Sequence, residues 1–121
     1  MRDTKPQAND ERLPLTVETG ATGDAVYATL KQMGQPVEHF SLMLHGSKMS
    51  YPKREKEALC IVEALTHWRH LLSLRKFILV TTQRAMDLIY GEESRSKIKT
   101  LKTTNWKLEL ASFQFDTRIK N

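Results

Sequence analysis

One cysteine in 121 residues rules out a disulfide framework, and Cys60 sits inside an apolar stretch where it reads as a small core residue, as fits a reducing compartment. Glycine and proline are few, five and four, so neither a fibrous nor a low-complexity chain is expected. No apolar run reaches membrane-spanning length, and the first residues are charged rather than signal-like. These absences predict an intracellular protein, cytoplasmic or nuclear, with no membrane partner. There is no internal repeat. What is present is 40% hydrophobic residues, enough in one chain of this length to bury a core as a single domain, and a formal charge of +5. That basic bias is compatible with nucleic acid but common among ordinary domains.

The chain is organised around residues 51–72. Ala58, Ile61, Leu65, Trp68 and Leu72 recur at helical spacing, with Leu59, Val62 and Leu71 beside them. Lys53, Arg54, Glu55, Lys56, Glu63 and His67 are expected on the other face. Pro52 suits the helix start, where its missing N–H costs nothing. Glu57 falls on the apolar side one turn in, either as a paired structural carboxylate or as part of a site. As a structural group it would be favoured by the helix dipole and paired with Lys53 or Lys56.

Residues 1–12 are polar and read as a flexible leader, with a domain over 13–121. Alternation predicts strands at 13–19 and 37–44, and position between two turns (20–24 and 33–36) favours a third at 25–32. Residues 45–50 form a loop. After the central helix, Phe77-Ile-Leu-Val-Thr-Thr82 is apolar without alternation, which predicts a strand buried on both faces and parallel to a neighbour. A short helix at 85–90, a helix at 96–112 with Ile98, Leu101, Trp106, Leu108 and Leu110 as its apolar members, and a strand at 113–119 complete the order βββαβααβ.

The order and several motifs together resemble one family. Val-Glu-Thr-Gly-Ala-Thr-Gly-Asp at 17–24, Gly-Gln-Pro-Val-Glu-His-Phe-Ser at 34–41, Tyr-Pro-Lys-Arg-Glu-Lys-Glu-Ala at 51–58, Trp-Arg-His-Leu at 68–71, Phe-Ile-Leu-Val-Thr-Thr-Gln at 77–83 and the stretch from Lys97 to Phe113 are similar to the ribonuclease H domain of gypsy-class LTR retrotransposon reverse transcriptase polyproteins. The resemblance covers about residues 13–117. It implies an α/β ribonuclease H-like fold, a five-stranded mixed sheet flanked by helices, and chemistry in which two divalent ions, Mg²⁺ in this family, sit among four carboxylates.

Carried over residue by residue, the first carboxylate position is Gly20 and the third is Thr82. The second is Glu57, which is kept, and the chain ends before the fourth. The resemblance therefore implies no catalytic residues beyond a vestigial Glu57, no metal and no cofactor. Glu18, Asp24 and Asp87 are the carboxylates near enough in sequence to substitute, although metal-assisted phosphodiester transfer tolerates little displacement. Three readings follow: an inactive module, structural or protein-binding, of retroelement origin, such as a domesticated host remnant; a module that retains weak affinity for RNA/DNA hybrid; and an active Mg²⁺-dependent nuclease with rearranged ligands. Retroviral reverse transcriptases carry a connection subdomain that resembles this fold without its carboxylates, a parallel for the first. The partner would be a protein or the remainder of a larger polyprotein.

For hybrid binding the candidates are Arg95, Lys97, Lys99, Lys102 and Lys107, against the alternative of a solvated helix face. Two more basic clusters are Lys53/Arg54/Lys56 and Arg69/Arg75/Lys76. His67 and His70 lack an apparent third metal ligand, and Trp68 and Trp106 read as core rather than as stacking platforms.

Overall fold

The computed structural model describes residues 14–91 and 101–120. The proposed leader 1–12, the start of the last helix with Ile98, and the candidates Arg95, Lys97 and Lys99 lie outside the described residues.

Five strands form one sheet in the order β3-β2-β1-β4-β5. They are β1 (Leu15–Ala21), β2 (Ala25–Gln32), β3 (Gln35–Met43), β4 (Phe77–Thr82) and β5 (Phe115–Lys120). The first three make an antiparallel meander, and β4 lies parallel to both β1 and β5. The parallel pairing follows from the helical crossover that separates β1–β3 from β4, since a strand joined through a helix returns in the same direction. The expected mixed five-stranded sheet is present.

Period-2 alternation sets which side chains enter the core. Leu15 and Val17 of β1, Val26, Ala28 and Leu30 of β2, and Phe77 and Leu79 of β4 are buried on one face. Helix α1 (Lys53–His67) lies across β1, β2 and β4 and supplies Ala58, Leu59, Cys60, Ile61, Val62, Ala64 and Leu65 to the same core. Helices α3 (Gln83–Tyr90) and α4 (Leu101–Leu110) pack beside α1, with Ala85, Ile89, Trp106 and Leu110 buried.

The structure corrects several expectations. The central helix is not continuous to Leu72. Trp68 leaves helical geometry (φ −102°, ψ 24°), and α2 (Arg69–Leu72) is a separate turn. The Trp68 indole is fully buried and donates its N–H to Glu38 Oε1 at 2.7 Å, which anchors the break against β3. β1 runs on through Gly20 and Ala21, so the hairpin turn begins later than the Gly-rich stretch suggests.

β4 is buried on one face only. Ile78, Val80 and Thr82 are half-buried, because the described helices cover the opposite side. In α4 the buried members are Thr103, Trp106 and Leu110, whereas Leu101 and Leu108 face outward. Three buried residues at spacings of 3 and 4 mark the true inner stripe. Lys56, expected on the outer face of α1, is buried, and its ammonium donates to the Gly23 carbonyl in the β1–β2 turn. Its aliphatic stem covers core while its head reaches a polar acceptor.

Candidate functional site

Glu57 and Thr82 meet. Glu57 lies in the first turns of α1 with its side chain 5% exposed, and Thr82 is the last residue of β4 and the N-cap of α3. The Thr82 hydroxyl donates to Glu57 Oε1 at 2.7 Å and also accepts the Ala85 amide. The larger partner of Glu57 is Arg84. Its Nε donates to Oε1 at 2.8 Å and its Nη2 to Oε2 at 2.9 Å, a bidentate fork. The expected pairing with Lys53 or Lys56 is therefore replaced. Lys53 acts on Glu57 only through its charge, and Lys56 is turned toward Gly23. Burial alone raises the Glu57 pKa. The hydrogen bonds from Arg84 and Thr82, with the charges of Arg84 and Lys53, outweigh it and hold the carboxyl below its ordinary value.

Gly20 sits in β1 directly opposite Tyr27 of β2. The Tyr27 ring lies over it so closely that a Cβ on residue 20 would stand 2.4 Å from Cζ and 2.5 Å from the phenol oxygen. The aromatic ring thus fills the space that a side chain at position 20 would need. Beneath this pair, the Cys60 thiol donates to the Tyr27 carbonyl at 3.0 Å. Burial pushes the thiol up to about 11, so it stays protonated at neutral pH and is no nucleophile.

Lys120, at the end of β5 and in register with Thr82, ties the two halves together. Its ammonium donates to the carbonyl of Thr19, the residue before Gly20, and lies 3.7 Å from Glu18 Oε2. Thr82, Gln83, Arg84 and Lys120 line a cleft of about 220 Å³. A second depression of about 430 Å³, lined by Arg54, Arg84, Asp87 and Leu88, shares Arg84 as a wall.

The other carboxylates do not converge on Glu57. Glu18 accepts from Lys31 at 2.9 Å, and that hydrogen bond is the main reason its pKa is lowered. Asp24 is exposed at the β1–β2 turn beside the Thr22 hydroxyl, and Asp87 accepts from the Gln83 amide at 2.8 Å. Among the described residues, no three of His, Cys, Asp and Glu are grouped so as to hold a metal ion. Both oxygens of Glu57 are already engaged by a guanidinium and a hydroxyl, and neither Gly20 nor Thr82 offers a carboxylate. This donor set does not fit a pair of divalent cations, which need several converging oxygens and repel a fixed positive charge between them.

The remaining candidates are dispersed. Lys102 bridges α4 to α1 through Glu55 Oε1 at 2.8 Å and sits 3.8 Å from the centre of the Tyr51 ring, so it is engaged within the fold. Lys107 is exposed near Tyr90. Arg69 pairs with Glu109 and Lys76 with Asp116, away from the cleft. His67 stacks on Phe40 with ring centres 4.7 Å apart. Trp68 and Trp106 are core.

Sequence reasoning missed Arg84, Lys120 and Tyr27. The position of Arg84 just after the Thr-Thr-Gln motif was the available signal for the first. For Tyr27 it was hairpin register, since pairing across the turn at 22–24 places it opposite Gly20.

The Tf2-3 and Tf2-4 transposon polyproteins of Schizosaccharomyces pombe are each 30% identical over 113 residues, covering 88% of this chain and 8% of the polyprotein. The chain thus spans a small fraction of the length of the curated relatives it matches. The foamy viral protease-reverse transcriptase in complex with RNA/DNA hybrid matches with a TM-score of 0.66 at 17% identity, over 88% of this chain and 15% of that one. The CSH mutant of the prototype foamy virus protease-reverse transcriptase reaches 0.69 at 12% identity, over 91% and 16%. These structures share the fold. No described helix is long and apolar enough to cross a membrane. The family model for the RNase H-like domain found in reverse transcriptase matches residues 10–113, and the chain belongs to that family.

Proposed function

We propose that this domain does not cleave nucleic acid and serves as a structural or interaction module of retroelement origin, either within a longer polyprotein or as a domesticated remnant of one. The observation that carries this reading is the bidentate Arg84–Glu57 pair closed by Thr82. A carboxylate that keeps a guanidinium on both oxygens holds a protein cation where a nuclease of this kind would need metal ions. The Tyr27 ring over Gly20 supports the same reading, since it fills the space of a second ligand.

The test is a labelled RNA/DNA hybrid incubated with the protein in Mg²⁺ or Mn²⁺ and resolved by strand length. No cleavage above the background of Glu57→Gln is expected. Cleavage that Glu57→Gln abolishes would overturn the proposal and point to substitute carboxylates, with Glu18 the first to examine.

A second reading, contact with nucleic acid without cleavage, is favoured by Arg54, Arg84 and Lys120 on two depressions that meet at one side chain.

A further inference from the structure

We infer that Arg54, Arg84 and Lys120 form a metal-independent track for a phosphodiester strand, one that reads phosphate charge and not the sugar. The inference deepens the second reading above and rests on the absence of a metal-dependent reaction at this cleft. Arg84 is the hinge of the argument. Its Nε and Nη2 satisfy the buried Glu57, yet its side chain remains 53% exposed and borders both depressions. Guanidinium carries five donors in a planar fork, so engaging a carboxylate with two leaves others for a second anion.

Lys120 lies on the other wall of the first cleft with Thr82 and Gln83 between, and that wall has no carboxylate. The N-terminus of α3 opens on the same cleft and adds the positive end of its dipole. Arg54 extends the line into the second depression. The one carboxylate there, Asp87, is held by Gln83, and among the described residues no acidic side chain pairs with Arg54. The Lys120 ammonium also donates to the Thr19 carbonyl and lies 3.7 Å from Glu18, which leaves one of its three donors for a phosphate, and Glu18 is shared with Lys31, so the local balance stays positive.

Phosphate contacts of this kind give affinity through counterion release and carry no sugar or base information. Two things distinguish such a track from a metal site. Binding should survive removal of divalent ions, and it should not discriminate an RNA/DNA hybrid from duplex DNA.

The experiment is fluorescence anisotropy of a labelled RNA/DNA hybrid and of a duplex DNA of the same length, titrated with the protein in EDTA over a series of salt concentrations. Similar affinity for both is expected, with a slope of log K against log salt of about −3 for three phosphate contacts. Arg54→Gln and Lys120→Gln should each flatten that slope by about 1, while Lys76→Gln, at the opposite end of β4, should leave it unchanged. Both target side chains lie outside the apolar core, and circular dichroism verifies that the variants fold. Binding that requires Mg²⁺, a marked preference for the hybrid, no binding at all, or slopes unmoved by Arg54→Gln and Lys120→Gln would each overturn the track. Strand cleavage in the separate Mg²⁺ assay would instead overturn the inactive reading, so the two failures are distinguishable.

Discussion

Arg84 and Glu57 show how one residue decides the character of a site. A buried carboxylate without a partner is costly, and here burial is the largest influence on Glu57, opposed by its donors. Because the folded pKa lies below the ordinary 4.5, the pair stabilises the fold above that value and its contribution fades as pH falls through the folded pKa. Arg84→Gln removes the main opposing charge and leaves burial to dominate. The variant should melt earlier than the parent at neutral pH, and the gap should narrow as pH falls through the parent's lowered folded pKa, below which the carboxyl is protonated in both. Thermal melts by circular dichroism at neutral pH and below that pKa check this, and a gap independent of pH would contradict it. Gly20 carries a second residue-level prediction. Gly20→Ala forces the half-exposed Tyr27 ring to swing away and should cost about 1 kcal/mol in urea unfolding. In a Tyr27→Ala background the ring clash is gone, and the same change should stabilise by about 0.5 kcal/mol, the usual benefit of a side chain over glycine in a strand. Glu57 was legible in the sequence through the motif around it. Arg84 was not, since its partner lies 27 residues away and only the fold brings them together.

At the level of elements, helical periodicity located α1 because it buries one regular stripe, whereas β2 was placed by the turns on either side of it and β4 by its apolar run. Periodicity failed where a stripe was ambiguous. In α4, Leu101, Leu108 and Leu110 all look apolar, and spacing alone could not say that a threonine, Thr103, lies on the inner stripe. The packed orientation makes a sharp contrast testable. Leu110→Ala empties a core position and should cost about 3 kcal/mol, whereas Leu108→Ala on the outer face should change stability by less than about 0.5 kcal/mol. Comparable losses at both positions would mean that α4 is rotated. The unbroken helix expected to Leu72 failed for a related reason. Trp68 continues the apolar spacing, but its backbone leaves helical geometry where its buried indole donates to Glu38 on β3, a contact that spacing cannot show.

Across the whole molecule, the order of elements was enough to orient β4 parallel to a neighbour, because a crossover helix leaves few ways to return to a sheet, but it left the direction of β5 open. The chemistry of the cleft was less legible, since it is a property of the assembled end of the sheet. Arg84 arrives after β4, Lys120 at the end of β5, Gly20 in β1 and Glu57 from α1. The contact of Lys120 with the Thr19 carbonyl spans 101 positions along the chain. That separation bears on timing. The β1–β2–β3 meander is built from near neighbours and can form on its own clock, but β4 must find β1 across some sixty residues, Thr16 opposite Ile78, and β5 must then find β4. Long-range parallel pairings of this sort place folding in the slower range, milliseconds to seconds. On a translating ribosome the first three strands emerge well before the cleft has its walls, and β4 waits as an open edge until β5 docks. The cleft is therefore completed only when β5 docks on β4 and brings Lys120 beside Thr82.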